Sequence, residues 1–146
     1  IAYNMDFKSG TWYGGILEAI QIIGIDVTNN TFTLNGIFKF NIGDVIYIID
    51  NQANNTNSVF GSNSSPGRYR VLYMVEDDVN KTTTVYVDSN LAGTSVTSPT
   101  NTGLRLVSHF NNLNWKSGIW TNGIFDGGRW EGGIWYNGIF LNGNWA

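Results

Sequence analysis

The chain has 146 residues, no cysteine and a formal net charge of −3. That length suffices for one or two small domains with cores of their own. Without cysteine there are no disulfides or thiolate metal sites, and the mild acidity leaves no basic footprint for nucleic acid. No apolar run is long enough for a membrane-spanning helix, so neither a nucleic acid nor a membrane is an expected partner.

From the start, Asn4-Met5-Asp6 leads into FKSGTWYGGIL, Phe7 to Leu17. Phe7 and Trp12 are five residues apart, and a glycine follows each by three positions. Ile16 to Val27 is then an apolar, β-branched strand expected to bend at Gly24. Thr28-Asn29-Asn30 is a turn, and Thr31 to Leu34 alternates as a strand. Asn35-Gly36 is a two-residue hairpin signal leading into Ile37 to Phe40. Asn41 to Asp44 turns into a strand from Val45 to Asp50. Asn51 to Arg68, rich in Asn and Ser, reads as a long exposed loop. Strands follow at Tyr69 to Glu76 and Thr82 to Asp88, joined by a turn at Asp77 to Lys81. Ser89 to Gly103 is a second polar loop, and Leu104 to Val107 a last short strand. Six or seven short strands without helical periodicity fit a small antiparallel β-barrel, whose closure removes exposed sheet edges. Its ends, near Leu17 and Val107, are expected to be neighbours.

The last part of the chain is periodic. Trp115, Trp120, Phe125, Trp130, Trp135, Phe140 and Trp145 keep a five-residue spacing, and glycine follows each of the first six by three. The aromatics cycle W-W-F, so the unit is fifteen residues: WKSGIWTNGIFDGGR, then WEGGIWYNGIFLNGN. A fixed short period is the signature of a solenoid. In an extended pentad the glycine and the next aromatic share one face, and the residue between them takes the other. The segment Phe7 to Leu17 aligns over Trp115 to Phe125 at an offset of 108 residues. That alignment implies one array, interrupted and resumed. The expected parent protein alternates such arrays with globular segments.

These readings give an all-β fold: a short β-solenoid of aromatic-glycine pentads interrupted by an inserted small antiparallel β-barrel. The expected divisions are residues 1–17, 18–109 and 110–146. Phe7, Trp12, Trp115, Trp120, Phe125, Trp130, Trp135, Phe140 and Trp145 form a structural ladder of stacked rings. Ile119, Ile124, Ile134 and Ile139 face away from it and are candidates for a chain–chain interface, because a stripe of isoleucines is poorly suited to water. Replacing Ile124 and Ile139 by Asp is expected to leave a folded monomer.

The pentads resemble the pentapeptide-repeat family, in which each pentad forms one side of a right-handed β-helix with small and large residues alternating inward. Here Gly118, Gly123, Gly128 and their successors take the small position and mostly Trp the large one. The fifteen-residue period implies three sides, where that family has four. In texture the array resembles the aromatic-glycine repeats of tailed-bacteriophage structural proteins. That resemblance implies a structural assembly module of a virion (tail, baseplate, fibre or capsid-associated) or of a cell-surface appendage. The module would self-associate or join other virion subunits, without a cofactor or a metal. The rival reading is a carbohydrate-binding or host-recognition module using exposed tryptophans or the barrel loops. An enzyme is not expected. His109, the single histidine, lacks a nucleophile motif nearby, and Asp126 and Glu131 occupy equivalent pentad positions suited to solvent. Glu76-Asp77-Asp78 with Asn80 lacks the spacing of a calcium loop and reads as a hairpin turn.

Overall fold

The computed structural model describes residues 3, 6–50, 67–91, 95–100 and 102–145. The fold is all-β, with no helix among the described residues. It divides into two compact units, residues 1–19 with 107–146, and residues 20–106.

The second unit is a closed six-stranded antiparallel barrel. Its strands are β4 (Ile20–Asp26), β5 (Thr31–Asn35), β6 (Val45–Asp50), β7 (Gly67–Asp77), β8 (Thr82–Val87) and β9 (Leu104–Val107), in the closed order β4-β5-β8-β7-β6-β9. Alternation puts one face of each strand inside. In β8 the inward Thr83, Val85 and Val87 are buried, whereas Thr82, Thr84 and Tyr86 are partly open. The interior is packed by branched and aromatic side chains, among them Ile22, Phe32, Leu34, Ile46, Ile48 and Val71. Ile20 lies opposite Leu106 and Gln21 opposite Arg105, so the expected pairing of first and last strands closes the barrel. The bend at Gly24 is a register shift between Ile22 and Gly24.

Two local expectations are corrected. Asn35-Gly36 does not form a two-residue hairpin, and Ile37 to Phe40 is not a strand. β5 pairs with β4 on one side and β8 on the other, so both its edges are already taken. The chain leaving it is held instead by Thr83, whose hydroxyl donates to the Gly36 carbonyl at 2.8 Å and accepts from the Phe38 N–H at 3.0 Å. The loop read at Asn51 to Arg68 lies outside the described residues except for Gly67 and Arg68, which begin β7.

The first unit contains β1 (Asp6–Phe7), β2 (Gly10–Trp12), β3 (Ile16–Leu17), β10 (His109–Trp115), β11 (Ile119–Trp120), β12 (Ile124–Trp130), β13 (Ile134–Trp135) and β14 (Ile139–Trp145). They form two parallel sheets. One has the order β1-β10-β12-β14 with β2 also on β10, and the other runs β13-β11-β3. Parallel pairing repeats at fifteen residues: Trp115 lies opposite Trp130, Ile119 opposite Ile134, Phe125 opposite Phe140. Parallel strands need a crossover between them, which is residues 116–123 from β10 to β12 and residues 131–138 from β12 to β14.

The sequence alignment misplaces the first segment by one pentad. In space Phe7 lies opposite Phe110, Trp12 opposite Trp115 and Leu17 opposite Trp120, an offset of 103 residues. The stacking is set by which rings share a column. Phe110, which the ladder read from sequence leaves out, is itself the large residue of a pentad.

Candidate functional site

Within the first unit the large residues of the pentads stand in three columns. Phe7, Phe110, Phe125 and Phe140 make one, Trp12, Trp115, Trp130 and Trp145 the second, and Leu17, Trp120 and Trp135 the third. Along the columns Trp12 lies nearly parallel on Trp115 at 4.9 Å and 7°, Trp115 on Trp130 at 5.1 Å and 6°, and Trp120 on Trp135 at 4.8 Å and 9°, whereas Phe7 on Phe110 and Trp130 on Trp145 are each tilted by 51°. Between columns rings commonly meet edge to face, as Trp115 does with Trp120 at 5.3 Å and 75°, while Phe140 and Trp145 stack at 25°. Both geometries suit the ring quadrupole, each adding about 0.5–1.5 kcal/mol beyond area burial. Trp115, Trp120 and Phe125 are fully buried and Trp130 nearly so. Phe7, Trp12, Trp135 and Phe140 are partly covered, and Trp145 is 53% exposed. Leu17, Phe110 and Leu113 belong to the same core, and the sequence reading missed them. The five-residue spacing back from Trp115 was the available signal for Phe110.

The glycines fit the rings one fifteen-residue repeat earlier in the second and third columns. A Cβ on Gly133 would meet Trp115 Nε1 at 3.1 Å, and one on Gly138 would meet Trp120 Nε1 at 3.0 Å. The indole nitrogens of Trp12, Trp115 and Trp120 are buried without a hydrogen-bond partner, so each packs as an apolar edge against a glycine, Gly118, Gly133 and Gly138 respectively.

The isoleucine stripe is uneven. Ile119 and Ile139 are partly buried and Ile134 is half-exposed, but Ile124 is fully buried. Ile124 therefore offers no surface to another chain. Ile124→Asp is expected to unfold the unit by placing an unpaired carboxylate in the interior, instead of leaving a folded monomer. Tyr136, just after β13, and Leu141, in β14, are exposed in the same two pentads as Ile134 and Ile139.

Polar side chains link successive strands. His109 sits between two carboxylates, with Nε2 3.3 Å from Asp126 Oδ2 and Nδ1 3.8 Å from Asp6 Oδ1. Lys116 pairs with Glu131 at 2.6 Å. Asp126 and Glu131 are thus engaged in cross-strand pairs, where the sequence reading set them free in solvent.

In the barrel, Glu76 pairs with Lys39, and Asp77 is committed to its own turn. Asp77 Oδ1 accepts from the Val79 and Asn80 N–H groups, and Oδ2 from the Asn80 amide. Asp26 caps the Thr28–Asn29 turn in the same way. For Asp26 the Asn29 side chain, and for Asp77 the Asn80 backbone N–H, is the largest influence holding the carboxyl below its ordinary 3.8. A depressed carboxyl stabilises the turn above the ordinary value and loses that contribution as pH falls through the folded value. In a pH titration the Asn29 and Asn80 amide resonances should therefore shift below pH 3.8. A midpoint at or above that value would contradict the capping role.

Neither a protein-family model nor a curated protein matches the chain.

Proposed function

We propose that this chain is a structural assembly module of a virion or surface appendage, acting through self-association. In this reading the fifteen-residue parallel ladder is one turn of a three-sided β-solenoid, and the barrel is carried on it as an insertion. The observation that carries the proposal is the burial of the aromatic columns. Rings stacked on each other across successive strands give a stiff spine and leave little ring surface for a ligand. The texture of the array, similar to the aromatic-glycine repeats of tailed-phage structural proteins, supports the same setting. The apolar side chains Ile134, Tyr136, Leu141 and Trp145, all exposed on the last coil, supply the surface for a neighbouring subunit.

Sedimentation velocity over a range of concentrations tests the proposal. The intact chain should form species heavier than its 16.2 kDa monomer. Ile134→Asp, at an exposed position, should return it to a monomer with unchanged tryptophan emission. A wild-type chain that stays monomeric at its highest soluble concentration would overturn the proposal. Tryptophan emission that is red-shifted and responds to sugars would favour ligand binding by the rings instead.

A further inference from the structure

The barrel carries a polar groove that the assembly reading does not use. Its floor is the outward face of β5 and β8, where Thr33 lies opposite Thr84, Thr31 opposite Tyr86 and Asn35 opposite Thr82. Two cavities of about 460 and 430 Å³ lie on this face and share Thr33, Thr84 and Ser98, so they form one continuous groove. Each is within the size range of ligand pockets, roughly 300–1,000 Å³.

The wall of the groove is built. Residues 95–100 are pinned along β4: Ile25 and Val96 exchange two backbone hydrogen bonds at 2.9 and 2.8 Å, and the Thr100 N–H donates to the Ile23 carbonyl at 2.8 Å. The Val27 N–H donates to the Ser95 hydroxyl at 3.0 Å. Gly24 lets this segment come close, since a Cβ there would stand 3.1 Å from Ser98 Cβ and 3.2 Å from Thr33 Cβ. The segment read from sequence as a polar loop is therefore in part a fixed side of the groove.

The two ends are chemically alike. Asp26-Val27-Thr28-Asn29-Asn30-Thr31-Phe32-Thr33 and Asp77-Asp78-Val79-Asn80-Lys81-Thr82-Thr83-Thr84 form the same turn. In each, Asp caps the turn, Asn braces it, and the following residue has φ of 56°. β5 and β8 run antiparallel, so the two turns close the groove at opposite ends.

We propose that this groove binds a neutral saccharide chain. The hydroxyls of Thr33, Thr82 and Thr84 make no hydrogen bond within the described residues, and each offers a donor and an acceptor to a ligand. The Asp26 and Asp77 carboxylates and the Asn29, Asn35 and Asn80 amides add fixed acceptors and donors at the ends. Tyr86, braced by Tyr73 at 5.6 Å, supplies a ring edge. Sugar hydroxyls both donate and accept, which matches such a lining. Among the described residues no lysine, arginine or histidine lines either cavity, whereas a carboxylate lines each, so phosphate, nucleic acid and acidic sugars are disfavoured. A groove with two equivalent polar ends fits an oligomer better than a single sugar.

The test is a nitrogen–proton NMR titration of the full chain with malto-, cello- and chito-oligosaccharides, with heparin as the anionic control. At least one neutral oligomer should shift the Thr33, Thr84, Tyr86 and Ser98 amides, and heparin should not. Thr33→Val and Thr84→Val preserve shape and remove hydroxyls without internal partners, so unfolding should be unchanged while binding weakens about tenfold each. Tyr86→Leu provides a second variant on a different contact and should also weaken binding. The barrel contains no tryptophan, so tryptophan emission should not respond, unlike binding by the aromatic columns. The proposal is overturned if no neutral oligomer shifts these amides at millimolar concentration, if the shifts map elsewhere, if heparin binds as well, or if binding survives the double Val variant.

Discussion

Gly128→Ala is expected to destabilise the pentad unit by about 4 kcal/mol, a large share of the roughly 5–15 kcal/mol that holds a typical domain folded. Gly128 has φ of +114°, a conformation side chains rarely adopt. A Cβ added there would stand 2.0 Å from the Leu113 carbonyl oxygen and 2.5 Å from the Leu113 nitrogen. Both atoms are backbone in the neighbouring parallel strand, so no rotamer change relieves the clash. β10 and β12 would have to separate where they pair, between Leu113 and Gly128. Gly14→Ala is the control, because nothing lies within 4 Å of its Cβ position and its φ is not in the left-handed region. It should leave stability within about 0.5 kcal/mol. All six tryptophans belong to this unit, so urea unfolding followed by tryptophan emission reads it selectively. Equal stability of the two variants would mean that the glycine beat is not set by close approach of the coils.

That beat was the most legible feature of the sequence, because the constraint producing it is local and repeats. A large ring inward and a glycine two residues before the next ring are demanded in each pentad, so the spacing survives without a slip. Register was less legible. Phe7 can be aligned with Trp115 or with Phe110, and the two choices differ by one pentad. The first has the better residue match, including the KSG that follows Phe7 and Trp115. Space chooses the second: Phe7, Trp12 and Leu17 lie opposite Phe110, Trp115 and Trp120 in the parallel sheets. Leu17 and Phe110 were invisible as column members for separate reasons. Leu17 is not aromatic, and Phe110 is followed at the third position by Leu113 instead of glycine.

In the barrel, strands whose apolar residues alternate were readable, and the closure between Ile20 and Leu106 followed from the need to bring the ends together. Asn35-Gly36 misled because turn propensity is a local quantity. Which strand pairs with β5 was decided by the Phe32 and Leu34 side chains facing the core and by β8, which comes after β6 and β7 in the chain. The burial of Ile124 was likewise beyond a pattern that treats its four isoleucines as equivalent. The groove was missed altogether, although its signal was present. The repeated Asp-x-x-Asn-x-Thr-x-Thr at Asp26 and Asp77 was read as two ordinary turns, and nothing local says that β5 and β8 bring the two together.

Trp120→Ala is expected to cost the pentad unit about 4 kcal/mol, and Trp145→Ala about 1 kcal/mol or less. The two residues carry the same side chain in the same kind of pentad, so the difference comes from position along the stack. Trp120 is fully buried and meets Phe110, Trp115, Phe125, Trp130 and Trp135 at ring distances between 4.8 and 5.9 Å. Its loss empties a site walled by other rings, which cannot collapse without breaking their own contacts. Trp145 touches Trp130, Trp135 and Phe140 from one side and is open on the other. Trp120→Phe separates ring packing from hydrogen bonding. The Trp120 Nε1 has no acceptor, so removing it leaves no partner unpaired, and the variant loses buried area alone. It should cost about 1–2 kcal/mol. If Trp145→Ala proved as damaging as Trp120→Ala in urea unfolding, stability could not be a sum of ring contacts between neighbouring repeats. The unit would then depend on a contact made by its last strand, and the burial of the inner rings would not be what holds it together.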